Sequence, residues 1–136
     1  VYVIQGTASK AEAAVFPTPV SSPVLPASGV LSTSSVIAYV RQEAALYGVN
    51  PVDALFIVAH ESQDGQNLVG HEPNGSTSYG FWQFNDANPD FDESCAMNLQ
   101  CSTQLAMQWI LAGKIARWST WRFRCTMYPY DFPPNC

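Results

Sequence analysis

Apolar positions along this chain take up a helical period from Ser34 onward. Ser34 or Ser35 can cap Val36-Ile37-Ala38-Tyr39-Val40, and the pattern runs through Leu46 to a stop at Gly48. Asn50-Pro51-Val52-Asp53 restarts a helix, with Asn50 as cap, Pro51 at the first helical position and Asp53 in the first turn. The run that follows, Ala54-Leu55-Phe56-Ile57-Val58-Ala59-His60-Glu61, is nearly apolar throughout. That predicts a buried central helix delivering Glu61 at its far end. Gly65, Gly70, Pro73, Asn74 and Gly75 make 63–77 a turn-rich stretch flanking short strands. Ser76 to Phe84 sets Ser, Thr, Tyr, Phe and Trp around Gly80, which predicts a small hairpin lining a cleft. Gly80 marks a place where a side chain would obstruct the backbone or a ligand.

Further on, Asp86, Asp90, Asp92 and Glu93 make 86–101 an acidic loop, read as a solvated surface because its spacing matches no calcium loop. Ser102 or Thr103 caps a helix over Gln104–Leu111 that ends at Gly113, and a last short helix carries Trp118-Ser119-Thr120-Trp121. No internal repeat is present. Before all of this, 1–33 is rich in Ala, Ser, Thr, Val and Pro and holds two charges, Lys10 and Glu12. Such a composition predicts an extended tether, leaving 34–136 as the folded domain. The first residue is Val rather than Met, which is compatible with a leader or anchor already removed.

A length of 136 residues suits one domain with one core. The formal charge of −5 argues against a nucleic-acid partner, because phosphate binding needs clustered Lys and Arg. The one cationic grouping, Arg117, Arg122 and Arg124, reads as a solvated helix face. No apolar run approaches the roughly 18–20 residues that span a bilayer. Four cysteines, at 95, 101, 125 and 136, allow three connectivities. Short loops favour Cys95–Cys101 and Cys125–Cys136 as the pairs. Zinc is the competing use of these cysteines, but there is no Cys-x-x-Cys and His60 and His71 lie far off in sequence, so no metal is expected. Disulfides point to an oxidising, extracytoplasmic setting, whether secreted, periplasmic or attached to a cell wall.

The chemistry concentrates in two segments. Glu61-Ser62 closes the apolar helix, and Ser78-Tyr79-Gly80-Phe81-Trp82-Gln83 follows, with Ser78 seventeen positions after Glu61. Breaking a glycosidic bond near neutral pH needs an acid that still holds its proton. Partial burial and the negative end of a helix both raise the pKa of a carboxyl, so Glu61 suits that task. Taken alone, it is more simply a surface glutamate ending a helix. The hairpin and the later tryptophans reverse that balance.

Asn74-Gly75-Ser76-Thr77-Ser78-Tyr79-Gly80-Phe81-Trp82-Gln83-Phe84-Asn85 resembles the hairpin of c-type lysozymes, and Trp118-Ser119-Thr120-Trp121-Arg122-Phe123-Arg124-Cys125 resembles their late Trp-x-x-Trp-Arg-x-Arg-Cys segment. Val49-Asn50-Pro51 and the Ser-x-Gly-x-x-Gln hairpin are also similar to soluble lytic transglycosylases. The resemblance, to the lysozyme superfamily, runs over 34–125. It implies an α+β fold, mainly α, with a helical core and a small β-hairpin subdomain as one wall of a glycan cleft. It implies Glu61 as general acid, Trp118 packed against it, and Gln83 and Asn85 lining the cleft, with Ser78 positioning substrate. Tyr79 and Trp82 are sugar-stacking or core residues, and Trp121 is core.

Two departures are informative. Ser78 stands where c-type enzymes carry their second carboxylate, and Phe56 stands where they carry the cysteine that partners the one matching Cys125. A one-acid site is closer to the g-type and transglycosylase branches. Glu72, Asp64 and Asp86 are the candidates for a second acid. The implied activity is cleavage of the β-1,4 link between N-acetylmuramic acid and N-acetylglucosamine in peptidoglycan, without a cofactor, either by hydrolysis or by closure to an anhydro sugar. The lean is to the second, since no hairpin acid occupies an evident base position. The chain is then a monomer or part of a larger cell-envelope or phage assembly. The rivals are a glycan-binding or scaffold module without turnover, and a chitinase. An acidic protein is poorly suited to be a freely secreted bactericidal lysozyme, because cell walls are anionic.

Overall fold

Ser32, two residues ahead of the expected cap, starts the first helix in the computed structural model, which describes residues 31–136. Helix α1 spans Thr33–Tyr47, and Ser32 Oγ accepts from the Ser35 backbone N–H at 3.1 Å. Every position of Ser32-Thr33-Ser34-Ser35 has a hydroxyl that could cap. Starting at Ser32 adds a bond from Val36 N–H to its carbonyl at 3.1 Å, and that extra turn decides. The folded part therefore takes in 31–33 from the expected tether; the rest of that tether, 1–30, lies outside the described residues. At the other end Gly48 adopts φ 74°, and Val49 N–H closes on the Ala44 carbonyl at 2.8 Å.

Helix α2, Pro51–Ser62, follows the expected plan: Asn50 Oδ1 accepts from Val52 N–H at 3.0 Å, and Ala54, Phe56, Ile57 and Val58 are buried. The chain leaves it through three left-handed residues, Gln63 at φ 52°, Asp64 at φ 55° and Gly65 at φ 88°. Two of those are not glycine, so the turn needs support. Ser62 provides it: its fully buried hydroxyl donates to Val58 O at 3.3 Å and accepts from Gly65 N–H at 3.0 Å, while its carbonyl takes Asn67 N–H at 2.9 Å. The residue after Glu61 thus fixes where α2 stops.

Three short antiparallel strands come next, β1 (Val69–His71), β2 (Thr77–Tyr79) and β3 (Phe84–Asn85), in the order β1-β2-β3. Ser78 lies on the central strand, in register with Gly70 on one side and Asn85 on the other. Gly80, at φ 85°, turns the chain between β2 and β3, and a Cβ built there would overlap the Ala96 carbonyl. The obstruction foreseen at Gly80 is therefore backbone against backbone.

Ala96 belongs to a helix where a loop was expected. Helix α3 (Glu93–Met97) is capped by Asp92, and α4 (Leu99–Leu111) is capped by Asn98, whose Oδ1 accepts from Cys101 N–H at 2.8 Å. Ser102 and Thr103 are not caps. Ser102 donates to Asn98 O at 2.8 Å inside the helix, and buried Thr103 accepts from Trp82 Nε1 at 3.1 Å. Both hydroxyls are satisfied in the core, which frees Asn98 to begin the helix one turn earlier.

The chain then runs through a 3₁₀ turn (Ile115–Arg117) and two single-turn helices, α5 (Ser119–Arg122) and α6 (Arg124–Met127). The Arg124 guanidinium stacks over Trp121 at 4.0 Å and donates to the carbonyls of Trp121, Pro134 and Asn135, which lays the tail back along α6. The architecture is mixed α+β and mainly helical, around a core in which Trp82, Tyr39, Ile57 and Met107 are fully buried. Both expected disulfides are formed, Cys95–Cys101 and Cys125–Cys136, as suits a protein of an oxidising compartment. Among the described residues no helix is long and apolar enough to cross a membrane.

Replacing Gly80 tests how the sheet docks. Gly80→Ala must relieve both a positive φ and an overlap with backbone that has no rotamer to yield. We expect a loss of at least about 2–3 kcal/mol in denaturant unfolding. A loss below about 1 kcal/mol, the size of the φ penalty alone, would mean that α3 is not held against the hairpin turn.

Candidate active site

The site is built where the end of α2, the sheet and the segment after α4 meet. A cleft of about 410 Å³ opens there, with Glu61 from α2, Glu72, Ser78, Gln83 and Asn85 from the sheet and its turns, and Trp118 from the far wall.

Glu61 occupies the last turn but one residue of α2, so the helix backbone aims it while Ser62 anchors the end. Thr120 Oγ1 donates to Glu61 Oε2 at 2.5 Å. Burial raises the pKa of this carboxyl to about 7; the Thr120 hydrogen bond pulls it back, and the negative charge of Glu72 pushes it up further. The group therefore keeps its proton to far higher pH than an exposed carboxyl does. Trp118 is nearly inaccessible, donates from Nε1 to Trp82 O at 2.9 Å and packs in a cluster with Trp82 and Trp109 at 5.6 and 5.7 Å between ring centroids. It is one rigid wall, backed by core. The hydroxyl of Thr120 reaches Glu61 because Trp118 and Trp121 are both buried on either side of it.

Across the cleft, polar side chains form a connected chain. Asn74 Oδ1 accepts from the Ser76 hydroxyl at 2.6 Å, and Asn85 Nδ2 donates to Ser76 Oγ at 2.9 Å and to Ser78 Oγ at 3.1 Å. Ser78 Oγ in turn donates to Glu72 Oε2 at 2.9 Å. Glu72 opens the turn between β1 and β2, where its N–H bonds Ser76 O at 2.9 Å and its carbonyl takes Gly75 N–H at 3.0 Å. Ser78 thus does not replace a carboxylate; it holds one supplied from the turn that precedes its own strand.

The three second-acid candidates separate at this point. Glu72 lines the cleft. Asp86 lies at the outer side of the sheet, where its Oδ1 accepts from Thr77 N–H at 3.0 Å. Asp64 lies past the end of α2; burial raises its pKa and nearby His60 lowers it. Neither Asp64 nor Asp86 is among the cleft-lining residues. Tyr79 is turned away too. Side chains alternate along a strand, so with Ser78 facing the cleft Tyr79 faces the other way, packing on Phe91 at 5.4 Å. Trp82 is entirely core. Gln83 lines the cleft with its Nε2 donating to Gly80 O at 2.8 Å, and its Oε1 lies over Gly70, where a Cβ would come within 2.6 Å.

Sequence reasoning missed Thr120 as a partner of Glu61, and Arg117, Ser119 and Arg122 as lining residues. The one available signal was Thr120 itself, a hydroxyl between two tryptophans expected to pack near the acid. No group of His, Cys, Asp and Glu among the described residues could hold a metal ion.

The Thr120 bond has a signed consequence. It stabilises the carboxylate, so Thr120→Val should raise the pKa of Glu61 above about 7. Any activity requiring protonated Glu61 then persists to higher pH, and the alkaline limb of the pH–rate profile moves up. Carboxyl resonances followed by NMR titration report the same change without turnover. A limb that moves to lower pH contradicts the assignment of Thr120 as donor.

No protein-family model matches this chain and no curated protein matches it.

Proposed function

We propose that this protein is a peptidoglycan-cleaving glycosidase of lysozyme-like fold that acts outside the cytoplasm. It breaks the β-1,4 bond between N-acetylmuramic acid and N-acetylglucosamine, with Glu61 as general acid. One observation carries the reading. A carboxyl with a pKa of about 7 projects from the end of a buried helix into a cleft whose opposite wall presents a second, hydrogen-bonded carboxyl.

The chemistry follows from that pairing. Glu61 gives its proton to the glycosidic oxygen as the C–O bond breaks, and positive charge develops at the anomeric carbon. Glu72 supplies negative charge on the other side of the cleft, oriented by Ser78 and Asn85. A water attacking the anomeric carbon from that side forms the new C–O bond and loses its proton to Glu72; exchange with solvent then reprotonates Glu61 and deprotonates Glu72 for the next turnover. A hydrogen-bonded carboxyl in the cleft supports hydrolysis over ring closure to an anhydro sugar, against the lean taken from sequence, where the hairpin offered no evident base. Trp118 supports the reading as a flat, immobile wall beside the acid.

Two measurements test this. Glu61→Gln should lower the clearing of purified peptidoglycan by at least ~10²–10⁴, with the fold unchanged by circular dichroism. A variant that keeps most of its activity would falsify the reading. Mass spectrometry and anomer-resolved NMR of the products then assign the route. Hydrolysed fragments are expected, and inverted configuration makes Glu72 the base that activates the water. Fragments lighter by one water mean that the sugar closes on itself, and retained configuration or an adduct on Glu72 makes that residue a nucleophile.

A further inference from the structure

The cleft has a second charged feature, of opposite sign. Arg117 and Arg122 line it on the Trp118 side, facing the wall that carries Glu72. They stand out in a protein with 11 acidic and 6 basic residues. From sequence these arginines were expected merely to solvate a helix face. Arg124, the third of that group, spends its guanidinium on tail carbonyls; the other two do not.

Both guanidinium groups are held in place without being neutralised. Arg117 lies flat over the Trp109 ring at 3.7 Å, with Nη2 donating to Asn88 Oδ1 at 3.4 Å. Arg122 donates from Nη1 to Ala116 O at 2.6 Å and to Arg117 O at 3.3 Å. Among the described residues neither is ion-paired; the one such pair recorded is His60 with Asp131. A guanidinium has five N–H donors, so each keeps donors to spare. Holding two cations side by side beside a cleft is unfavourable unless an anion arrives. The arginines do not serve to tune the acid either, since burial, Thr120 and Glu72 set the pKa of Glu61. What remains is a positively charged lip of two exposed arginines, each oriented in part by the contacts above, so that less freedom is lost when an anion binds.

We propose that Arg117 and Arg122 form a subsite for a carboxylate carried by the glycan, and that this subsite gives the enzyme its preference for acid-bearing strands over neutral N-acetylglucosamine polymers. The inference rests on the glycosidase reading above. Two carboxylates of peptidoglycan have the required chemistry: the lactyl group of N-acetylmuramic acid when its peptide is absent, and the peptide stem when it is present. In both cases a planar carboxylate meets a planar guanidinium, the geometry that Arg serves better than Lys.

The experiment compares the 136-residue protein with Arg117→Gln, Arg122→Gln and the double variant, each checked for folding by thermal melting. Binding is measured in a Glu61→Gln background, so that turnover does not intrude. The probes are a muramyl-containing tetrasaccharide with free lactyl carboxylates, its methyl ester, the same glycan with its peptide stems, and a chitin tetramer. The parent should bind the free acid more tightly than the ester or the chitin tetramer, with the difference shrinking as salt is raised. Each Arg→Gln change should weaken binding of the carboxylate form by roughly tenfold, and the double variant should bind acid and ester alike. If Arg122→Gln unfolds, Arg117→Gln alone carries the comparison. A loss confined to the peptide-bearing glycan assigns the subsite to the stem, and one confined to the peptide-free acid assigns it to the lactyl group. Equal binding of acid and ester by the parent, or unaltered binding by the variants, overturns the subsite. Where the active protein still cleaves peptidoglycan, that result leaves the glycosidase reading standing. Absence of cleavage by the active protein, together with no binding of any probe, overturns both.

Discussion

The chemistry open to this structure depends on the partial burial of one carboxyl, Glu61, at the edge of the cleft. An apolar helix is the simplest way to achieve it, because its buried face carries a terminal side chain into the edge of the core. The difficulty is the helix end, where unsatisfied carbonyls and a reversing chain normally admit water. Ser62 solves it from inside, bonding Val58 O, Gly65 N–H and Asn67 N–H, so that two left-handed non-glycine residues can follow directly. Trp118 then supplies an apolar wall, and Thr120 the single hydroxyl that reaches Glu61. That bond is a compromise. It satisfies a buried oxygen and, by doing so, lets the carboxyl ionise more easily than burial alone would allow.

The second wall obeys a different rule. Its strands are two or three residues long and could not stand by themselves. They persist because Gly80 allows the turn to press against α3, and because Trp82 carries the sheet into the core through Thr103 and the Trp118 indole. This explains how so small a sheet can hold Glu72 in place. The side-chain series Asn74, Ser76, Asn85 and Ser78 replaces the rigidity that longer strands would have given.

What could be read in the sequence were the features that a single residue decides. Asn50-Pro51 admits one helix start and Gly48 one helix end, and both appear in the structure; Gly80 marked an obstruction by backbone or ligand, and the Ala96 carbonyl makes it backbone. Cysteine pairing was legible for a similar reason, since both loops are short. The errors fell where several residues could do the same job. Four consecutive hydroxyl residues compete to cap α1, and Asn98, Ser102 and Thr103 compete for α4; tertiary demand on the hydroxyls decides, and that is invisible along the chain. The acidic stretch 86–101 hid α3 because its charges face solvent while only Ala96 is buried. The second carboxyl was undecided among Glu72, Asp64 and Asp86 because proximity in sequence says nothing about which face of a turn an acid takes. Arg117 and Arg122 are exposed, as a solvated helix face requires, and that they also line the cleft is equally invisible along the chain.

Adjacent residues His60 and Glu61 set the stability of this fold against itself. Burial lowers the pKa of His60, with Asp131 and Asp64 partly restoring it, so the native state favours the neutral imidazole. Its contribution is present above the unfolded pKa, near 6.5, and is lost as pH falls. Glu61 runs the opposite way. Its folded pKa of about 7 exceeds the unfolded 4.5, so the native state favours the protonated acid, and stability falls as pH rises between those values. The full difference is on the order of 3 kcal/mol, a large share of what a domain of this size holds in reserve. Such a site needs support close by, and the tail gives it. Tyr128 stacks on His60 at 4.0 Å, Asp131 lies 3.5 Å from its Nε2, and Arg124 with the Cys125–Cys136 bridge ties that tail back. Closing an 11-residue separation contributes about 3 kcal/mol in the chain-entropy account, comparable to the strain of the ionised acid. The Cys125–Cys136 bridge thus offsets a cost of the same order as that of ionising Glu61 in the cleft, and it does so in the segment that packs against the neighbouring His60.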